Sequence, residues 1–417
     1  MQPTPKFSLM ARNAGIAAPF WDEALRAGVN GLVVERTGPA ATLHINDHEL
    51  TNMSSFSYLG IDEDPAIIEG AIRQLTRSRV IKGNSSVSLA RMRPKVLDET
   101  EERLSTLFGA DVGIVGSCAT GAWAMLPLLA SGLLSGGVRP VMVFDRYAHF
   151  CLQSIKALCA IETEVTTIGH NDMTKLETLC QARKLVAYVG DSVYSTGGTV
   201  APMHELMDLQ DRYGMYLFMD EAHGTSVRGK NGEGYALDVM GDINEHTILV
   251  TSLDKGFGAT GGVILFGPRG DQQRRQLAFR NGGPFMWSQR VNAAGWGAIN
   301  ASCDIHESPE LARLQMELKR AIETFDQHFP LPHANPSSPI RFIPIGSETE
   351  TIRATRCLMD SGYYVEPDFF PVVMWGEAGL RVRLRANMTD STIREFCSLL
   401  SEHFGESRRP ATSHELD

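Results

Sequence analysis

The sequence predicts an α/β fold: a mainly parallel sheet in a large domain, followed by a small C-terminal α+β domain. Three observations predict it. Between about residues 60 and 270, short apolar β-rich runs alternate with helical patterns, the signature of a parallel sheet covered on both faces. Several of these runs end in an aspartate, at Asp145, Asp191 and Asp220, and Asp254 follows another. The last eighty residues read as strand, helix, strand, helix.

The first sixty residues predict a helix over Trp21–Ala27 and a strand pair, Leu32–Glu35 with Thr42–Ile45. Val112 to Val138 carries no charge and is long enough to span a bilayer. Its six glycines, Pro127 and missing basic flanks instead predict a buried strand, a Gly/Ser turn and a buried helix. Strands follow at Pro140–Phe144, Leu185–Val189, Tyr216–Met219, Thr247–Thr251 and Gly262–Phe266, with helices at Lys175–Lys184 and Met203–Tyr213 between them. One long helical stretch is predicted from Ser288 to His328. The domain boundaries expected are 1–60 for an N-terminal segment, 61–305 for the large domain, 306–405 for the small one and 406–417 for a polar tail.

Composition excludes several classes. Lys plus Arg is 39 against 49 Asp plus Glu, a net charge of -10, which argues against a nucleic-acid coat. The seven cysteines are scattered without a C-x-x-C pair, the usage of a reduced, cytoplasmic enzyme rather than a disulfide scaffold or zinc site. No apolar h-region follows Lys6 and Arg12, so no signal peptide is expected. The remaining histidines, His306 among them, lack metal-ligand spacing and are expected to be surface or packed groups, and no metal is expected.

Ligands bind beyond the carboxyl ends of strands in such sheets. Lys255 follows one strand and opens a glycine-rich turn, Lys-Gly-Phe-Gly-Ala-Thr-Gly-Gly. A partly buried lysine there suits a Schiff base; alone, it reads equally as a solvated loop residue. Upstream, Asp220-Glu-Ala-His223 ends a strand. A helicase-type box would need a G-x-x-x-x-G-K-[ST] phosphate loop, and none occurs. Aspartate, histidine and lysine in this order suit pyridoxal 5′-phosphate, whose pyridine nitrogen an aspartate keeps protonated.

On these residues the chain resembles the α-oxoamine synthases, fold-type I pyridoxal-phosphate enzymes that condense an amino acid with an acyl thioester and release carbon dioxide. The resemblance runs from Ser55 to the last helix. Ser57-Tyr58-Leu-Gly is similar to the family's N-Y-L-G entry, Ser117-Cys118-Ala119-Thr-Gly-Ala to its phosphate turn, and Asp145-x-x-x-His149 to the segment whose imidazole stacks on the pyridine ring. Asp191-Ser192-Val-Tyr-Ser-Thr-Gly-Gly-Thr-Val-Ala-Pro matches a stretch beside the cofactor, in wording closer to the autoinducer-synthase branch.

The resemblance implies a seven-stranded, mainly parallel sheet and a homodimer. It also implies roles for single residues: Asp220 at the ring nitrogen, His223 at the phenolic oxygen, Ser252 at the phosphate and Lys255 as Schiff-base lysine and proton-transfer base. By the same resemblance Ser288 reaches a neighbouring subunit's phosphate, and Arg381 clamps the amino-acid carboxylate, with Tyr58 and Arg91 as further substrate contacts. The implied reaction gives an α-aminoketone; an aldolase, lyase or aminotransferase acting without an acyl donor is the alternative. The chain departs from the family pattern at Leu89-Ala-Arg91, at Asp254 and at Met388, where a histidine is usual.

Charge placement adds one expectation. Arg73, Arg77, Arg79, Lys82, Arg91, Arg93 and Lys95 fall in a stretch with no acidic residue. It reads as a solvated face or as a docking strip for coenzyme A phosphates or an acidic acyl carrier protein.

Overall fold

A computed structural model describes residues 10–38, 42–45, 48–82, 92–270 and 272–404. Arg91 and the tail 406–417 lie outside the described residues. The chain forms two compact units, Phe56–Met316 and Met1–Ser55 with Glu317–Asp417.

Strands β1 (Arg36–Thr37), β2 (Thr42–Ile45) and β3 (His48–Asn52) come first. The middle of the chain supplies β4 (Ala110–Val115), β5 (Val141–Asp145), β6 (Val165–Ile168), β7 (Val186–Asp191), β8 (Tyr216–Asp220), β9 (Thr247–Ser252) and β10 (Gly262–Pro268). Four more close it: β11 (Ile340–Gly346), β12 (Tyr363–Tyr364), β13 (Glu366–Asp368) and β14 (Ala378–Arg383).

In the larger unit seven strands form one sheet in the order β4-β10-β9-β8-β7-β5-β6. Neighbours from β9 to β6 pair parallel, while β10 runs antiparallel to both β9 and β4. Strands β4, β7, β8 and β9 are buried along their whole length. That burial explains the uninterrupted apolar runs, because helices cover both faces. Leu97 and Leu104 of helix Lys95–Phe108 and Leu206 and Leu209 of helix Met203–Tyr213 pack into this core. Val141 rather than Pro140 begins β5, since proline has no N–H for the ladder.

The uncharged stretch folds as β4 followed by helix Cys118–Ala130. Among the described residues no helix is long and apolar enough to cross a membrane.

A buried charge network ties the edge of this sheet to its helices. Glu101, 2% exposed, pairs with Arg93, Arg275 and Arg290, and its Oε1 accepts the Ile114 amide of β4 at 2.9 Å. Burial lowers the Arg290 pKa to about 10.

Three expected elements differ. The stretch from Ser288 to His328 is two helices, Ala293–His306 and Pro309–His328; Pro309 lacks the N–H that would continue the first. The N-terminal helix is longer than expected, Met10–Arg26. The first strand is Arg36–Thr37 rather than Leu32–Glu35, leaving Val33 and Val34 exposed.

The smaller unit holds two sheets. One has the order β1-β2-β3-β12, with β12 parallel to β3; the other is antiparallel, β11-β14-β13. Helices Glu348–Asp360 and Met10–Arg26 share a core with Leu43, Leu50, Phe369 and Ala378.

Candidate active site

The parallel strands deliver acidic groups to one end of the sheet. Asp145, Asp191 and Asp220 end β5, β7 and β8, which are neighbours, and Asp191 stands in register with Asp220. All three are buried, so each needs a partner or a proton. Burial would raise Asp145, but His170 and the Asn171 amide outweigh it and hold its carboxyl below the usual range. Asp191 goes the other way: burial and the charge of Asp220 drive it well above the ordinary carboxylate range. That shift favours the neutral form of Asp191. Its Oδ1 accepts the His149 amide at 3.0 Å.

Asp220 is well supplied with donors. Oδ1 accepts the Ala222 amide at 2.9 Å, and Oδ2 accepts the thiols of Cys118 and Cys151, each at 3.4 Å. His149 caps the short helix Phe150–Gln153, Nδ1 accepting from the Cys151 amide, and is itself exposed. Ligand atoms of His149, Cys151 and Asp220 lie within 4.8 Å of one another. Metal ligation would need a thiolate, and the Cys151 thiol is shifted upward: its bond to Cys118 lowers it, but burial and Asp220 outweigh that.

Lys255 follows β9 and meets His223 from the turn after β8, Nζ to Nε2 at 2.9 Å. Tyr58, fully buried, lies 2.6 Å from His223 Nδ1. A neutral imidazole has one donor and one acceptor nitrogen. If Lys255 donates to Nε2, then Nδ1–H donates to Tyr58; if Tyr58 donates to Nδ1, then Nε2–H meets a neutral amine. The protonation of Lys255 is thus linked to Tyr58 through one ring. Phe56 adds an apolar wall, with its ring centroid 5.5 Å from Nζ.

Across the sheet, Ser117 caps helix Cys118–Ala130 and accepts the Thr120 amide at 3.2 Å. Ala119 is exposed at that helix start, where free amides and the helix dipole favour an anion. The turn lies directly on β10: a Cβ on Gly262 would sit 2.5 Å from Cys118 N. Only glycine permits that approach. Ser252 donates to Asp254 Oδ2 and accepts the Asp254 amide, both at 3.1 Å, while Asp254 Oδ1 accepts the Gly261 amide. Asp254, the departure before the lysine, thus clasps the glycine-rich turn. Ser192, also predicted, is fully buried one residue beyond Asp191.

A buried aspartate, an imidazole beside a lysine, and a helix start pressed to the sheet are the set of groups that a phosphorylated pyridine aldehyde needs. The chain's own residues fit pyridoxal phosphate.

Two further predicted residues are Arg381 and Ser288. Arg381 belongs to the smaller unit, where Glu366 at 3.0 Å and Asp368 at 2.9 Å fix its guanidinium. Ser288 is exposed beyond helix Gly283–Trp287 and donates to the Pro284 carbonyl. Trp123 and Trp287 are 44% and 72% exposed.

The basic strip is partly neutralised: Arg73 pairs with Glu69, Lys95 with Glu99, and Arg93 with Asp98 and Glu101. Arg93 is therefore structural rather than a docking cation.

One group escaped the sequence reading. Cys151 carries no spacing signal; only its place two residues after His149 hinted at the site. Tyr58, expected as a substrate contact, meets His223.

The family model for aminotransferase class I and II matches residues 50–400. The chain is 28% identical over 412 residues to the 8-amino-7-oxononanoate synthase of Mycobacterium sp. strain JLS, covering 95% of this chain and 99% of the relative. It is 26% identical to the serine palmitoyltransferase of Bacteriovorax stolpii over 89% of this chain and 85% of the relative. Both relatives are α-oxoamine synthases. The fold matches the serine palmitoyltransferase structure from Sphingomonas wittichii with a TM-score of 0.80 at 17% identity, covering 96% of this chain and 99% of that one. With a single family model spanning both units and a lysine, aspartate and histidine at its strand ends, the chain belongs to the aminotransferase class I and II family.

Proposed function

We propose that the chain is a pyridoxal-phosphate-dependent α-oxoamine synthase. It condenses an α-amino acid with an acyl thioester, on coenzyme A or an acyl carrier protein, to give an α-aminoketone, carbon dioxide and a free thiol. The observation that carries this reading is the Tyr58–His223–Lys255 chain, with Asp220 buried at the end of the strand that leads to His223. The relatives' activities support the same chemistry.

Bound pyridoxal phosphate supplies an electron sink for the carbon–hydrogen and carbon–carboxylate bonds that break. The residues that would hold it are Asp220 at the ring nitrogen, His149 over the ring, His223 and Ser192 on the oxygen side, and Ser117, Cys118, Ala119 and Ser252 at the phosphate. Lys255 would carry the covalent attachment. Ser288 serves the phosphate of a second copy, so the working form is a homodimer.

Lys255 then takes the α-proton of the amino acid, and His223 and Tyr58 set the protonation state in which it does so. Arg381 holds the amino-acid carboxylate, oriented by Glu366 and Asp368. Two thiols and one amide donate to Asp220 and fix its carboxyl in place.

Exchange of the amino-acid α-proton in deuterium oxide tests this. Glycine, alanine and serine are offered singly to the cofactor-loaded enzyme and to Lys255→Ala. Exchange with at least one of them, absent in the variant, is expected; no exchange with any α-amino acid would overturn the reading.

A further inference from the structure

We propose that His306 is a positioning residue for this reaction, fixing the loops that bring His223 and Lys255 together. The inference rests on the proposed function but uses residues that touch neither substrate nor cofactor.

His306 ends helix Ala293–His306 and is 3% exposed. Its Nδ1 lies 2.8 Å from the Ser302 carbonyl. A carbonyl only accepts, so Nδ1 carries the proton and Nε2 is an acceptor. The donor it meets is the Ser226 hydroxyl, at 2.8 Å. Burial lowers the His306 pKa to about 4, which keeps this arrangement neutral and intact at working pH.

Ser226 makes the contact informative. It is fully buried with φ of 68°, a left-handed conformation unfavourable for any residue with a Cβ. Glycine would adopt that backbone freely. What serine adds is a hydroxyl, and its partner is His306. Strain of this kind persists only where the surroundings enforce it. Here they do: the Ser226 amide donates to the Gly232 carbonyl at 2.8 Å, and Gln315 donates to the Ser226 carbonyl at 3.1 Å. Ser226 lies three residues after His223, so the loop carrying His223 is held through it.

The same helix end also holds the lysine loop. His306 packs on Phe257 with ring centroids 4.5 Å apart, and Ser302 Oγ donates to the Phe257 carbonyl at 2.6 Å. Phe257 is two residues past Lys255. The two loops also touch directly, since a Cβ on Gly256 would lie 2.8 Å from the Thr225 carbonyl. One imidazole therefore braces both sides of the 2.9 Å contact between Lys255 and His223.

The test compares cofactor-loaded wild type with Ser226→Gly, His306→Phe and His306→Gln. Ser226→Gly removes the hydroxyl and relieves the backbone, which offsets the cost of the unpaired His306 Nε2, so its melting temperature should stay close to that of wild type. Its α-proton exchange should nonetheless fall about tenfold with amino-acid KM within about twofold, and the pH midpoint of its cofactor absorbance should move by about half a unit. His306→Phe should match it, and His306→Gln, whose amide reaches toward Ser226, should recover part of the loss. Wild-type exchange and midpoint in Ser226→Gly would overturn the inference even if His306→Phe fails to fold. A wild type without Lys255-dependent cofactor absorbance would defeat both this inference and the proposed function.

Discussion

Replacing Tyr58 with Phe deletes one oxygen from a fully buried ring and leaves the packing of that ring in place. The loss falls on His223 Nδ1, which sits 2.6 Å away and is itself 4% exposed. A buried polar group left without its partner costs about 1–3 kcal/mol. Taken at about 2 kcal/mol and borne by the transition state, that is a rate loss of roughly thirtyfold. The assay is α-proton exchange, measured by proton NMR in deuterium oxide, in wild type, Tyr58→Phe, His223→Ala and the double variant. Tyr58 reaches Lys255 through His223, so the two losses should not add. Tyr58→Phe should cost roughly thirtyfold alone and less than about threefold in the His223→Ala background. Equal losses in both backgrounds would refute the linkage through the imidazole.

Three further outcomes follow from the same geometry. Glu101→Gln leaves Arg93, Arg275 and Arg290 facing an uncharged amide and should cost about 3 kcal/mol, or roughly 3–6 °C in Tm by calorimetry. Gly262→Ala places a methyl where 2.5 Å separates it from Cys118 N; equilibrium dialysis should show cofactor binding weakened at least about tenfold, as the helix start is pushed off the sheet. His306 has a folded pKa of about 4, below its ordinary value, through burial that the Ser302 carbonyl and Glu307 only partly oppose. The unfolded state then binds more protons between about pH 6.5 and 4. Stability should accordingly be full above that window and fall through it, by up to about 3 kcal/mol, in urea titrations of wild type. His306→Phe should lack that component of the decline.

The sheet and the charged site were legible because both depend on local chemistry. Buried strands on both faces force apolar runs, and a charge placed directly after such a run stands out, which is how Asp220, His223 and Lys255 come together from sequence. Helix ends were read less well where a single proline decided them, as at Pro309.

Partners set by tertiary packing left no such mark. Cys118 was visible at a helix start, but its bond to Asp220 joins residues 102 apart in sequence. His306 was assigned as a surface or packed histidine and is packed; that its partner is a left-handed serine 80 residues away could not be read from spacing. The basic strip misled in part because the acids that neutralise Arg93 and Lys95 lie downstream of it, at Asp98, Glu99 and Glu101.

The most direct test of the central claim is product stoichiometry. Cofactor-loaded enzyme is incubated with glycine, alanine or serine and with acetyl-, decanoyl- or palmitoyl-coenzyme A, and free thiol and carbon dioxide are measured together. One pairing should release the two in equal amounts, and only when both substrates are present, with Lys255→Ala releasing neither. Turnover of an amino acid to a keto acid, or cleavage of it, without thiol release would contradict the account and place the chain among aminotransferases or aldolases instead.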